Sequence, residues 1–142
     1  MFKKVLVAVD GSDSSQGAIK LVKNLAQSGM VEAITLISVA PSPSLPLQAM
    51  DFMVSESNRF EPLSQMVVDN TRASFESAGL KVDTVVVSGD PGVKICKYAE
   101  EHQFDLILLG SRGLSTVKGM VLGSVSHKVL QTAHCPVLIY RA

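Results

Sequence analysis

A chain of 142 residues, 46% hydrophobic and 18% charged, is long enough to bury one core without disulfides or a structural metal and too apolar for a disordered segment. Thirteen Lys and Arg balance thirteen Asp and Glu, so no global positive field draws it to nucleic acid or to an anionic membrane. No apolar run approaches the roughly eighteen residues of a membrane span, and the opening MFKKVLVAVDGS is too short and too β-patterned for a signal peptide, which leaves the expectation of one cytoplasmic domain over 1–142.

The first apolar run, KKVLVAV at 3–9, is continuous rather than alternating and predicts a strand buried on both faces. Ala18, Leu21, Val22, Leu25 and Ala26 recur at helical spacing, predicting a helix from about 14 to 28 with Asp13 as N-cap and Gly29 as its stop. VEAITLISVA at 31–40 is the second strand, parallel to the first through a right-handed crossover. PSPSLPL at 41–47 predicts a surface loop reaching about residue 50. Phe60, Leu63, Met66, Val67, Phe75 and Ala78 then form the apolar face of a helix that starts in earnest near 60 and ends at Gly79. Pro62 lies in its first turn or at a kink, and Met50, Met53 and Met66 pack beneath the preceding loop.

A strand at 82–87 follows, then Asp90-Pro91 as the N-cap and first position of a helix to about His102. A strand at 104–109, a helix at about 124–133 and a strand at 135–140 complete the chain. Five strands alternating with four helices predict a doubly wound α/β fold with a parallel sheet. Cys96 and Cys135 stand alone in apolar surroundings and read as core residues.

Ligands of such sheets sit beyond the carboxyl ends of the strands. Three loops there have suitable composition: Asp10-Gly11-Ser12-Asp13, Val39-Ala40-Pro41, and the stretch GSRGLSTVKGMVLGSVS at 110–126. In the last, Gly110 and Gly113 would let the backbone approach a ligand, and Gly123-Ser124 opens a helix whose N–H groups and dipole attract an anion. Arg112 and Lys118 add positive charge, and Ser115, Thr116, Ser124 and Ser126 add hydroxyls. Glycines equally serve turns and helix–strand packing, and neither GxxxxGK[ST] nor GxGxxG is present, so a phosphate cradle here is of another kind. Asp10 either meets a ligand or caps the DGSD turn.

The spacing Gly110-x2-Gly113-x9-Gly123-Ser124 resembles the nucleotide-binding motif of the ATP-binding branch of the universal stress protein family. VLVAVDGSD, SGDPGVKI, DLILLGSRG, LGSVS and CPVLIY extend the resemblance over essentially the whole chain. It implies an adenine nucleotide alpha hydrolase-like fold with strand order 3-2-1-4-5 and four flanking helices. It also implies ATP as ligand, with any Mg²⁺ arriving on the phosphates. By the same resemblance Ala8, Val9 and Asp10 adjoin adenine and ribose, and the backbone of Val39 meets the adenine. Gly110, Ser111, Arg112 and Gly113 wrap ribose and phosphates, and Gly123, Ser124, Val125 and Ser126 take the phosphates. His127 is a local departure, standing where many relatives carry an acidic residue. The family further implies a homodimer, built partly on residues 136–140, an apolar strand at a sheet edge; a protein partner is left unnamed.

No nucleophile, base and orienter stand together in the sequence. His127 and His134 share a predicted helix face without a carboxylate or thiol partner, no cluster has metal-ligand spacing, and His102 suits a helix C-terminus. VDGSD is also not the SGGxDS-like loop of adenylate-forming enzymes. The reading is an ATP-binding regulatory module; a nucleotide-independent dimeric interaction protein and a slow ATPase are the alternatives.

Overall fold

Alternation of buried strand runs with amphipathic helices gives nine elements: β1 (Phe2–Ala8), α1 (Asp13–Gln27), β2 (Val31–Ala40), α2 (Leu47–Ser77), β3 (Asp83–Ser88), α3 (Pro91–Glu101), β4 (Leu106–Gly110), α4 (Ser124–Thr132) and β5 (Val137–Tyr140). The computed structural model describes residues 1–41, 47–113 and 121–141, with side chains described outside 47–61. The strands form one sheet of order β3-β2-β1-β4-β5, and every pairing is parallel. This is the expected doubly wound topology.

Successive strand residues face opposite sides of a sheet, and here both sides are covered. Val5, Val7, Ile34, Leu36, Leu106 and Leu108 pack with Ala18, Ile19 and Val22 of α1 and with Val68 and Phe75 of α2. Leu6, Ile37, Ile107 and Leu109 pack on the other side with Ile95, Cys96 and Ala99 of α3 and Val129 of α4. Burial from two sides is why the strands read as unbroken apolar runs. Cys96 is buried in this second core and Cys135 is half-buried against it. Burial pushes both thiols up, with Cys135 adding to the effect at Cys96 and Asp105 at Cys135.

Several boundaries differ from expectation, each for a local reason. Ser12, not Asp13, caps α1: it is extended (φ −71°, ψ 164°), and its Oγ accepts from the Ser15 N–H at 3.2 Å. Asp13 is instead the first helical residue, where its charge complements the dipole. β4 begins two residues later than expected, because Phe104 is a buried plug and the Asp105 carboxylate accepts from the N–H groups of Lys3 (2.8 Å) and Lys4 (3.0 Å). His134 lies beyond α4, whose C-cap is Ala133, so it does not share a helix face with His127. His102 does end α3, its ring stacked 4.0 Å from that of Tyr98.

The largest difference is α2, which starts at Leu47 rather than near 60 and contains Pro62. The strong helix formers Leu47, Gln48, Ala49 and Met50 account for the early start. Met50, Met53 and Phe60 have side chains outside the described set. The buried face of the described part is Ser64, Val68, Thr71 and Phe75, whereas Leu63 and Met66 are each 51% exposed, against the expectation that both face the core. The Thr71 hydroxyl can be buried because it donates to the Val67 carbonyl one turn back, at 2.7 Å. Phe75→Ala should therefore cost about 3–5 kcal/mol in urea unfolding, and Leu63→Ala less than about 1 kcal/mol, the reverse of what a core-facing Leu63 would give.

Candidate functional site

The sheet has a notch at its centre. β1 ends at Ala8, opposite Ile37, whereas β2 continues to Ala40 and β4 to Gly110. α1 covers one face beside β1 and α3 the other, before β4, which makes the β1/β4 boundary the switch point where such sheets receive ligands. The Val9 N–H donates to the Ile37 carbonyl at 2.9 Å. Parallel alternation turns the N–H and C=O of Val39 to that same side, beyond the end of β1. The side chains of Ala8 and Val39 pack on the second core and that of Val9 is buried in the first, so these three positions present backbone to the notch.

Of the two roles considered for Asp10 in sequence, the turn is the one its contacts display. Oδ1 accepts from the Ser12 N–H at 2.9 Å, closing a turn in which Gly11 has φ +82°, a conformation that favours glycine. Oδ2 faces Gly113: a Cβ placed there would lie 3.0 Å from it.

The glycines of the motif have different reasons to be glycine. A Cβ at Gly110 would lie 2.7 Å from the carbonyl carbon of Ser14 and 2.8 Å from its Cβ, so this residue is required by the first turn of α1. The bareness of Gly110 thus has a packing reason in the protein itself, beside the approach to a ligand expected from sequence. Gly123, the N-cap of α4, makes no such demand: its φ is −76°, and a Cβ would meet Arg112 Cα, the Gly113 nitrogen and the Ser111 oxygen at 3.4–3.5 Å. Those distances place the start of α4 directly against residues 111–113. Its own N–H donates to the Ser111 carbonyl at 2.6 Å.

Hydroxyls that look like ligand donors in the sequence are partly occupied by the protein. Ser126 is 2% exposed, and its Oγ is directed at the carbonyls of Ser111 (2.8 Å) and Gly123 (3.0 Å). The N–H of Ser111, another buried residue, donates to the Tyr140 carbonyl at 2.7 Å. What is left facing the notch is more selective. α4 has no side-chain cap, so its first-turn N–H groups, at Ser124 and Val125, lack the acceptor a helix end usually finds in a side chain. An anion supplies that acceptor well. The ion pairs among the described residues are Arg72–Glu76 and Lys97–Glu101, so the Arg112 guanidinium beside Gly113 has no carboxylate partner among them. Ser115, Thr116 and Lys118 lie outside the described residues. No group of three potential metal ligands occurs among the described residues, and none of their helices is long and apolar enough to cross a membrane.

Sequence reasoning missed Ser12, Ser14 and Ser15, all buried and all bonded into the base of the site. The available signal was three serines in the first turn of a helix that follows the Asp-Gly turn.

The model of the Universal stress protein family matches residues 1–141. Universal stress protein YxiE of Bacillus subtilis is 34% identical over 148 aligned positions, covering 99% of this chain and all of the relative. Among solved structures, that of MJ0577, a universal stress protein of Methanocaldococcus jannaschii, superposes with a TM-score of 0.87 at 29% identity, covering 100% of this chain and 97% of the other. A universal stress protein in complex with cAMP superposes at 0.70 and 26% identity, covering 97% and 96%.

The glycine contacts separate by experiment. Gly110→Ala should lower stability by about 1–3 kcal/mol, the cost of overpacking, and Gly123→Ala by less than about 1 kcal/mol, measured by denaturant unfolding of the ligand-free protein.

Proposed function

The chain belongs to the universal stress protein family, and from that premise we propose that it is an ATP-binding regulatory module, holding the nucleotide so that a partner can read the occupied state. The observation that carries this reading is the start of α4, which no side chain caps, set by Gly123 against residues 111–113, where Arg112 has no carboxylate partner among the described residues. A related protein of the same fold in complex with cAMP supports adenine nucleotides as the ligand class.

In this reading the backbone of Val39 meets the adenine, and Ala8 and Val9 form the floor beneath it. Asp10 Oδ2 accepts from the ribose hydroxyls while Oδ1 stays on Ser12. Gly110, Ser111, Arg112 and Gly113 curve round ribose and phosphates, and Gly123, Ser124, Val125 and Ser126 present the helix end to the phosphates. The guanidinium of Arg112 adds the mobile charge, and Mg²⁺ enters with the phosphates it already binds. Within the pocket Ser111 and Ser126 act as frame, since their polar groups are held by the protein. The role assigned is retention of ATP in the cytoplasm, not turnover.

The same reading includes a homodimer through β5. This strand is at the sheet edge, is bonded on one side to β4, and exposes Leu138. An apolar strand with an open edge is a pairing surface.

Calorimetry with ATP and Mg²⁺ should show binding at or below millimolar nucleotide, weakened at least about tenfold by Gly123→Val, which crowds the helix entrance. No binding, or equal binding by the variant, overturns the proposal. Light scattering at micromolar protein should give twice the 15.1 kDa chain mass, with Leu138→Lys shifting the population to monomer. A monomeric wild type would remove the dimer from this reading.

A further inference from the structure

We propose that Ser14 is a positioning residue: its buried hydroxyl fixes the course of residues 111–113 and thereby aims the phosphate end of the site. The proposal rests on the nucleotide-binding reading for its ligand, but the clamp itself is a property of the empty protein.

Arg112 lies just past the last residue of β4 and has no strand partner there, yet its backbone groups still require partners. Ser14 supplies both. Its Oγ donates to the Arg112 carbonyl and accepts from the Arg112 N–H at 3.3 Å. Ser12 Oγ offers a second donor to the same carbonyl at 3.3 Å. Ser14 is 3% exposed, so this hydroxyl is reserved for the protein. It is carried by the first turn of α1, which is itself fixed by the Ser12 cap and by the Asp10 N–H donating to Ser15 Oγ at 3.3 Å. A backbone held at both N–H and C=O by a helix end cannot turn freely about its φ and ψ. The absence of a side chain at Gly110 is what lets Ser14 come this close.

The clamp acts on one end of the site. Arg112 and Gly113 are the residues against which Gly123 sets the start of α4, whereas Val9 is held through Ile37 and Asp10 through Ser12 and Ser15, bonds that do not use the Ser14 hydroxyl. Loss of the Ser14 hydroxyl should therefore loosen the phosphate half and leave the nucleoside half in place.

The test is Ser14→Ala, which keeps a good helix former and removes only the hydroxyl. Calorimetry should show ATP binding weakened about tenfold, the scale of a lost buried hydrogen bond, with adenosine affinity changed less than about twofold. Asp105→Ala, which releases the N–H groups of Lys3 and Lys4 at the opposite end of the sheet, is the stability control and should weaken neither ligand. In the nucleotide-free protein, Ser14→Ala should speed hydrogen exchange of the Arg112 amide about tenfold or more, while the Ser111 amide, held by Tyr140, stays protected. Equal weakening of ATP and adenosine, unchanged ATP binding, or unchanged exchange at Arg112 would each overturn the proposal. A wild type that binds no ATP would instead overturn the nucleotide reading, and exchange at Arg112 would still decide whether the clamp exists.

Discussion

The structure depends on β1 being both the central strand of the sheet and one that stops short of its neighbours. Val5, Leu6 and Val7 have no exposed surface, and β1 is paired on both sides, to β2 and β4. β2 pairs with it from Phe2 to Ala8 and β4 from Val5 to Val7, and the strand ends just before the Asp10-Gly11 turn. The positive φ of Gly11 turns the chain away while β2 and β4 continue. The result is a floor of backbone at the end of β1 between the longer β2 and β4. The main-chain groups there are positioned by the core more firmly than any surface side chain.

Polar residues around that floor divide into frame and face. Ser12, Ser14 and Ser126 turn inward and donate to carbonyls of Arg112, Ser111 and Gly123. Beside this frame stand the start of α4, which no side chain caps, the basic Arg112 and the acidic Asp10. A positive helix end, a cation and an acceptor some way off form a charge pattern suited to a ligand with an anionic tail and a hydroxylated middle.

The sheet was legible because burial from both sides leaves unbroken apolar runs, and because Gly29 and Asp90-Pro91 punctuate the chain for backbone reasons that no tertiary contact overrides. Indeed Gly29 takes φ +77° and Asp90 accepts from the Val93 N–H at 3.1 Å, as a stop and a cap should. The buried face of α2 was not legible. Hydrophobicity favours Leu63 and Met66, while Ser64 and Thr71 occupy the inner face at the spacing of Val68 and Phe75; a hydroxyl bonded to its own helix counts as polar in a sequence and packs as apolar in a core. The site was readable as a set of positions and less so as a set of roles. A serine that braces a loop and one that would bind a phosphate are the same letter, and only the Cβ test at Gly110 shows which element needs the space.

Tyr140 has a consequence for the order in which the molecule can be completed. Its carbonyl receives the Ser111 N–H, and its ring lies over Gly17, where any side chain would enter the ring. The last strand thus closes over the first helix and supports the residue that carries the Gly123 and Ser126 bonds. As the chain emerges during synthesis, the Asp10 turn, Val39 and the start of α4 are all made before this brace exists. Ser111, and with it the contacts of Gly123 and Ser126, gains this support only once β5 has joined the sheet.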